Sequence, residues 1–66
     1  MFNVEELEVL EEMDLISMSV EDCIRRLEGN IQDLNDEFAR DFLRNLISKI
    51  EELTDQEYAK QMAKEF

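Results

Sequence analysis

The side chains that could do chemistry in this chain are carboxylates and a single thiol, because histidine is absent. Two adjacent acid pairs, Glu11–Glu12 and Glu51–Glu52, are candidates for general acid–base catalysis. Neighbouring residues diverge by about 100° on a helix, and neither pair has a histidine or nucleophile beside it. We therefore expect no catalytic residue and no enzyme activity.

A metal site is the second chemical possibility, since Asp33, Asn35 and Glu37 alternate along the chain. An EF-hand calcium loop needs a glycine at its sixth position and a bidentate acid at its twelfth. Counted from Asp33, those positions hold Phe38 and Arg44. The match fails, and no other ligand or cofactor motif is present, so we expect neither metal nor cofactor.

Cys23 is the only cysteine, which excludes an intrachain disulfide and makes a reducing, cytoplasmic setting the default. It falls on an apolar stripe, where a cysteine is usually a small buried hydrophobe. Glu21 and Asp22 beside it oppose thiolate formation. We expect Cys23 to pack in the core and not to react.

The acids are distributed unevenly. The chain has 66 residues, 18 acids and 7 bases, a net charge of −11. Residues 1–24 contain eight acids and no base, a net of −8, whereas residues 25–66 contain ten acids and seven bases, a net of −3. This charge disfavours direct binding to nucleic acid or an anionic membrane and favours a basic protein partner. The candidate partner contacts are the acids Glu5, Glu8, Glu11, Glu12, Asp14, Glu21 and Asp22. The alternative is that these acids only keep a small helix soluble.

The sequence also indicates where the helices that carry these acids begin and end. Asn3 and Glu6 predict a capping box at the start of the first helix, and Ser19 predicts a second N-cap. Thr54 and Glu57 form the clearest capping box, so the preceding helix should end near Leu53. We predict a single all-α domain, residues 1–66, with helices near 4–16, 20–28, 31–53 and 55–65, as a short three- or four-helix bundle or helical hairpin. No basic segment precedes an apolar one, so we expect no secretory signal and no membrane anchor.

One boundary is ambiguous. Gly29–Asn30 resembles a helix stop. However, apolar residues recur at intervals of four and three straight through the glycine, as a heptad seam does. The seam residues are Val20, Ile24, Leu27, Ile31, Leu34 and Phe38. We predict a break or kink near Gly29–Asn30, with one long helix as the alternative.

Residues 38–53 carry apolar side chains over roughly half of a helix circumference, wider than one neighbour needs. Phe38 and Phe42 should belong to the core there. Tyr58, Met62 and Phe66 recur at intervals of four and should form either a lid over this helix or part of a partner contact. For so small a chain, such a wide face predicts a homodimer or an obligate partner complex.

On these grounds we expect a non-enzymatic, acidic inhibitor or regulator that occupies a basic surface, of the type that binds nucleic acid, on a partner protein. In size and charge the chain is similar to the small acidic inhibitors that bacteriophages make against host enzymes and defence systems, including DNA mimics. That similarity implies the cytoplasm, or the host cytoplasm if the protein is phage-encoded. The alternative function is a helical adaptor, antitoxin or immunity-type protein that binds through the heptad seam.

Overall fold

The computed structural model describes all 66 residues and contains four α-helices and no β-strand. The helices are α1 (Val4–Glu12), α2 (Val20–Asp33), α3 (Glu37–Glu51) and α4 (Asp55–Glu65). The prediction of an all-α fold with three or four helices is therefore confirmed. The chain measures 33 × 22 × 19 Å, with a Cα radius of gyration of 11.1 Å.

Each helix begins at a residue whose side chain accepts a hydrogen bond from a backbone N–H of the first turn. In the first capping box, the Glu6 N–H donates to Asn3 at 2.8 Å and the Asn3 N–H donates to Glu6 at 2.9 Å. The same reciprocal pair forms between Thr54 and Glu57, at 3.2 and 2.9 Å. Both predicted capping boxes are confirmed.

The first helix ends earlier than the predicted residue 16. Asp14 has a positive φ of 58°, and the Leu15 N–H reaches back to the Leu10 carbonyl at 2.9 Å. The Asp14 N–H donates to the Glu11 carbonyl at 3.1 Å, which completes a Schellman motif with aspartate in the usual glycine position. Leu10 and Leu15 are fully buried. Burial of this leucine pair accompanies the turn and ends α1 at Glu12.

The predicted break near Gly29–Asn30 is wrong, because α2 continues through both residues to Asp33. Gly29 is exposed, and a methyl group at its Cα would meet nothing within 4 Å. The seam does not form one long helix either, since Leu34 is extended and Asp36 caps α3 by accepting from the Phe38 N–H at 3.0 Å. The break between the two helices therefore lies at Asn35–Asp36, residue types that favour turns, and not at Gly29.

The wide apolar face of α3 is covered by the same chain. Leu43, Leu46, Ile47 and Ile50 are buried in one core cluster with residues from the other three helices, and α2 and α3 form the most extensive helix pair. The accessible surface is 4692 Å², close to the ~4,400 Å² expected of a folded monomer of this mass. The width of that face gives no reason for a second chain, and homodimerisation stays a prediction.

One aromatic prediction is wrong and one holds in part. Phe38 is 83% exposed in the first turn of α3, because α2 has already ended and no element lies over this end of the hairpin. Phe42, one turn later, is half-buried against the core. The α3 face therefore begins to be covered only from its second turn.

The fourth helix forms the predicted lid over the core. Tyr58 and Met62 are buried, whereas Phe66 remains 53% exposed. The Tyr58 hydroxyl donates to the Leu15 carbonyl at 2.7 Å, and its ring packs edge-on against Phe2 with centroids 6.4 Å apart. These contacts attach α4 to the connection between α1 and α2 and to the segment before α1.

We expect Gly29→Ala to raise the free energy of unfolding by about 0.5–1 kcal/mol, because alanine loses less backbone entropy in a helix and clashes with nothing here. For a domain of this size that corresponds to a rise in Tm of roughly 4–8 °C per kcal/mol. Thermal unfolding followed by circular dichroism measures it. A lowered Tm would show that α2 needs a bend at Gly29.

Tyr58→Phe should lower the free energy of unfolding by about 1–3 kcal/mol at pH 7, because the buried Leu15 carbonyl loses the shortest of its three hydrogen bonds. The effect should also depend on pH. Burial, reinforced by the neighbouring Cys23 thiol, raises the pKa of the Tyr58 phenol above its ordinary 10.0. Above about pH 10 the unfolded chain releases the phenolic proton, whereas the folded chain keeps it. The contribution of Tyr58 to the free energy of unfolding is therefore complete below about pH 10 and is lost as pH rises further.

Urea unfolding between pH 7 and pH 11 checks both parts of this prediction. Wild-type stability should fall steeply above about pH 10, and the curve for Tyr58→Phe should fall less. Parallel curves for the two proteins would contradict the assignment to Tyr58.

Candidate functional site

All seven predicted partner-contact acids are exposed. The structure divides them into two groups by their ion pairs. Glu21 and Asp22, in the first turn of α2, both pair with Arg25, at 3.1 and 3.4 Å. The other five have no Lys or Arg nitrogen within 4.0 Å and form one group, here called the α1 acidic face: Glu5, Glu8, Glu11, Glu12 and Asp14.

The α1 acidic face results from helix geometry. Glu5, Glu8 and Glu12 recur at three and four residues, so their Cα atoms rise by about 4.5 and 6 Å along one side of α1. The opposite side carries the buried residues Glu6 and Leu10. Asp14 continues the row beyond the end of the helix, where its left-handed backbone turns the chain towards α2.

Glu6 is the acid that faces the other way. It is only 3% exposed, and its Oε1 accepts from Lys49 Nζ at 2.8 Å as well as from the Asn3 N–H at 2.9 Å. Lys49 also donates to the Met1 carbonyl at 3.4 Å. The capping role of Glu6 was predicted from the sequence, but the ion pair was not, because Lys49 lies 43 residues away in α3. This pair fixes which side of α1 points outwards.

The second group of predicted site residues, the heptad seam, faces mostly inwards. Leu27 is fully buried. The residues half-buried against the core are Val20, Ile24, Ile31 and Leu34. Phe38 alone is largely exposed. Most of the seam therefore packs within the chain and does not form a continuous stripe for a partner.

Cys23 is completely buried, as predicted, and its Sγ donates to the Leu15 carbonyl at 3.3 Å. Burial raises the pKa of the Cys23 thiol above its ordinary 9.0; the neighbouring Tyr58 hydroxyl lowers it, and the charges of Asp22 and Asp55 raise it further. The thiol is thus inaccessible and held in its neutral form. No three acid or cysteine side chains are grouped so as to hold a metal ion.

An apolar groove between α4 and the α1–α2 connection was not predicted. Its lining residues are Ile16, Ser17, Ala59, Met62, Ala63 and Phe66. In the sequence, the apolar stripe formed by Tyr58, Met62 and Phe66 indicated the wall that α4 supplies. The other wall could not be found from the sequence, because Ile16 was assigned to a longer first helix.

Comparison with protein-family models, curated proteins and solved structures gave no significant match. None of the four helices combines the length and the apolar character needed to cross a bilayer. The function of this chain is therefore inferred from the arrangement of its own residues.

We expect Glu6→Gln to lower the free energy of unfolding by about 1–2 kcal/mol, because the charge-assisted bond to Lys49 is replaced by a neutral one. Glu6→Ala should cost more, since it also removes the acceptor for the Asn3 N–H. The matched control is Glu5→Gln, the same change one residue away on the exposed side, which should stay within about 0.5 kcal/mol of wild type. Equal losses at both positions, measured by urea unfolding, would contradict an anchoring role for Glu6.

Proposed function

We propose that this protein is a non-enzymatic, acidic inhibitor or regulator that occupies a basic surface of a partner protein, of the type that binds nucleic acid. The supporting observation is the α1 acidic face, five exposed carboxylates without a basic neighbour within 4.0 Å. Other exposed acids of the chain also lack an ion pair, but an acid row that served only solubility would not need a common direction.

The geometry of α1 favours competition with a nucleic acid. Its carboxylates succeed one another at rises of about 4.5 and 6 Å, comparable to the ~3.4 Å rise per phosphate along one DNA strand. The helix is held by the Glu6–Lys49 pair and by buried Leu10, so the charges are presented without ordering a flexible segment. The net charge of −8 in residues 1–24 would also speed association with a basic partner.

The proposed function agrees with the similarity in size and charge to phage-encoded inhibitors and DNA mimics. It also includes the cytoplasmic, or host-cytoplasmic, location that this similarity implies. The alternative adaptor function has less support, because Leu27 and most of the heptad seam are packed in the core. Exposed Phe38 is what remains for such a role.

Charge reversal on the α1 acidic face tests the proposal. We expect the triple variant Glu5→Lys, Glu8→Lys and Glu12→Lys to keep its fold but to bind its basic partner about 30–100-fold more weakly, since each reversal removes an attraction of up to ~1 kcal/mol and adds repulsion. Partners are captured from the native host lysate on immobilised wild-type protein and then purified. Affinities are measured at several salt concentrations, with duplex DNA as competitor.

The matched control carries three reversals with the same change in net charge at exposed acids outside α1: Glu28→Lys, Glu52→Lys and Glu65→Lys. It should bind within a few-fold of wild type. Equal weakening in both triple variants would show a nonspecific effect of net charge and would contradict a specific role of α1. Salt-insensitive binding that DNA does not displace would contradict the proposal as a whole.

A further inference from the structure

The groove beside α4 is the most apolar depression that the proposed function leaves unused. Five of its six lining residues are apolar, and its volume is about 350 Å³. Ligand pockets range over ~300–1,000 Å³, so this groove has room for one or two side chains and not for a large cofactor.

The groove is preformed. Met62 at its base is 1% exposed, and Tyr58 in the preceding turn of α4 is bonded to the Leu15 carbonyl at 2.7 Å. Ile16, which supplies the facing wall, directly follows Leu15 in the chain. The hydrogen bond therefore fixes the distance between the two walls, and an occupant need not open them.

The rim of the groove is apolar and accessible. Phe66 is 53% exposed at the end of α4, and Ile16 is half-buried. Ala59 and Ala63 are both exposed, one turn apart on the same side of α4. A polar or charged ligand would find a single side-chain partner here, because serine at position 17 is the only polar residue of the lining.

Two acids lie close along the chain to the walls of the groove. Asp14, the last member of the α1 acidic face, is two residues before Ile16, at most about 7 Å along the chain. Asp55 stands one turn before Ala59, where its carboxylate accepts from the Val20 N–H at 2.9 Å. The two lysines of α4, at positions 60 and 64, line a different depression on another side of the helix.

We infer that the groove receives one aliphatic or aromatic side chain from a basic segment of the partner protein, while the lysines and arginines of that segment meet the α1 acidic face. This inference rests on the proposed function and adds an apolar anchor to it. Charge complementarity favours such an occupant over a second copy, since two chains of net charge −11 repel each other. A buried anchor beside a charged rim is also the usual arrangement of a protein interface.

Two fluorescein-labelled peptides test this inference directly. They have equal length and equal lysine content, and differ only in one central residue, leucine in the first and serine in the second. Wild-type protein should bind the leucine peptide about tenfold more tightly, the ratio expected from burying one leucine side chain. Fluorescence anisotropy at several salt concentrations gives both affinities and their salt dependence.

Two variants separate the groove from the charges. Ala63→Gln places a neutral polar side chain in the groove and should bring the leucine-to-serine ratio to about one, with the serine peptide's affinity and salt dependence unchanged. The control Ser48→Gln, at an exposed position of α3, should keep the tenfold ratio. The triple reversal at Glu5, Glu8 and Glu12 should weaken both peptides by the same factor. Circular dichroism verifies that each variant is folded.

The outcomes distinguish the two proposals. Equal binding of both peptides by wild type, still sensitive to the triple reversal, would overturn the groove and leave the proposed function standing. A tenfold ratio that survives Ala63→Gln would overturn the location of the anchor. Binding of neither peptide at low salt would oppose both proposals. A dimer in sedimentation equilibrium that Ala63→Gln dissociates would show that the occupant is a second copy.

Discussion

The orientation of α1 depends on one partly buried ion pair, that between Glu6 and Lys49. A carboxylate that is 3% exposed would be costly without a partner, and here it has two donors, the ammonium group and the Asn3 N–H. The pair joins the first turn of α1 to the last turns of α3. A helix attached along one side must present its other side to solvent, and that side holds Glu5, Glu8 and Glu12. The one acid of α1 that has an ion pair thus determines where the unpaired acids of α1 point.

The Leu15 carbonyl is the second fixed point of the fold. It comes after the Schellman turn at Asp14 and accepts from both Tyr58 and Cys23, at 2.7 and 3.3 Å. A buried carbonyl in an irregular segment needs such donors, because no helix supplies them. The result is that α4 and α2 are both attached to the connection after α1. The same bonds that complete the core also hold the walls of the apolar groove, so its shape is a consequence of folding.

Local signals in the sequence predicted well wherever the interaction lies within one turn. The capping boxes at Asn3 and Thr54, the all-α class and the burial of Cys23 are of this kind. The failures arose where tertiary packing decided between alternatives. Gly29 resembled a stop, but its cost of about 1 kcal/mol in a helix is small against the packing of the α2 apolar face, so α2 runs through it. The Glu6–Lys49 pair could not be predicted, because nothing local relates residues 43 positions apart.

These constraints bear on what kind of surface so small a chain can offer. Its apolar residues are mostly used by the core, and the heptad seam is used with them, so a partner finds mainly carboxylates. Surface carboxylates alone raise the association rate and disfavour acidic partners. They give only modest affinity, since each exposed ion pair contributes little binding free energy in water. A lasting complex needs apolar burial near the charges. The groove at Ile16 and Phe66 is a concave apolar surface that this chain leaves uncovered, and it begins two residues beyond the last acid of the α1 acidic face. The carboxylates would then determine which partner binds, and apolar burial in the groove would determine the lifetime of the complex.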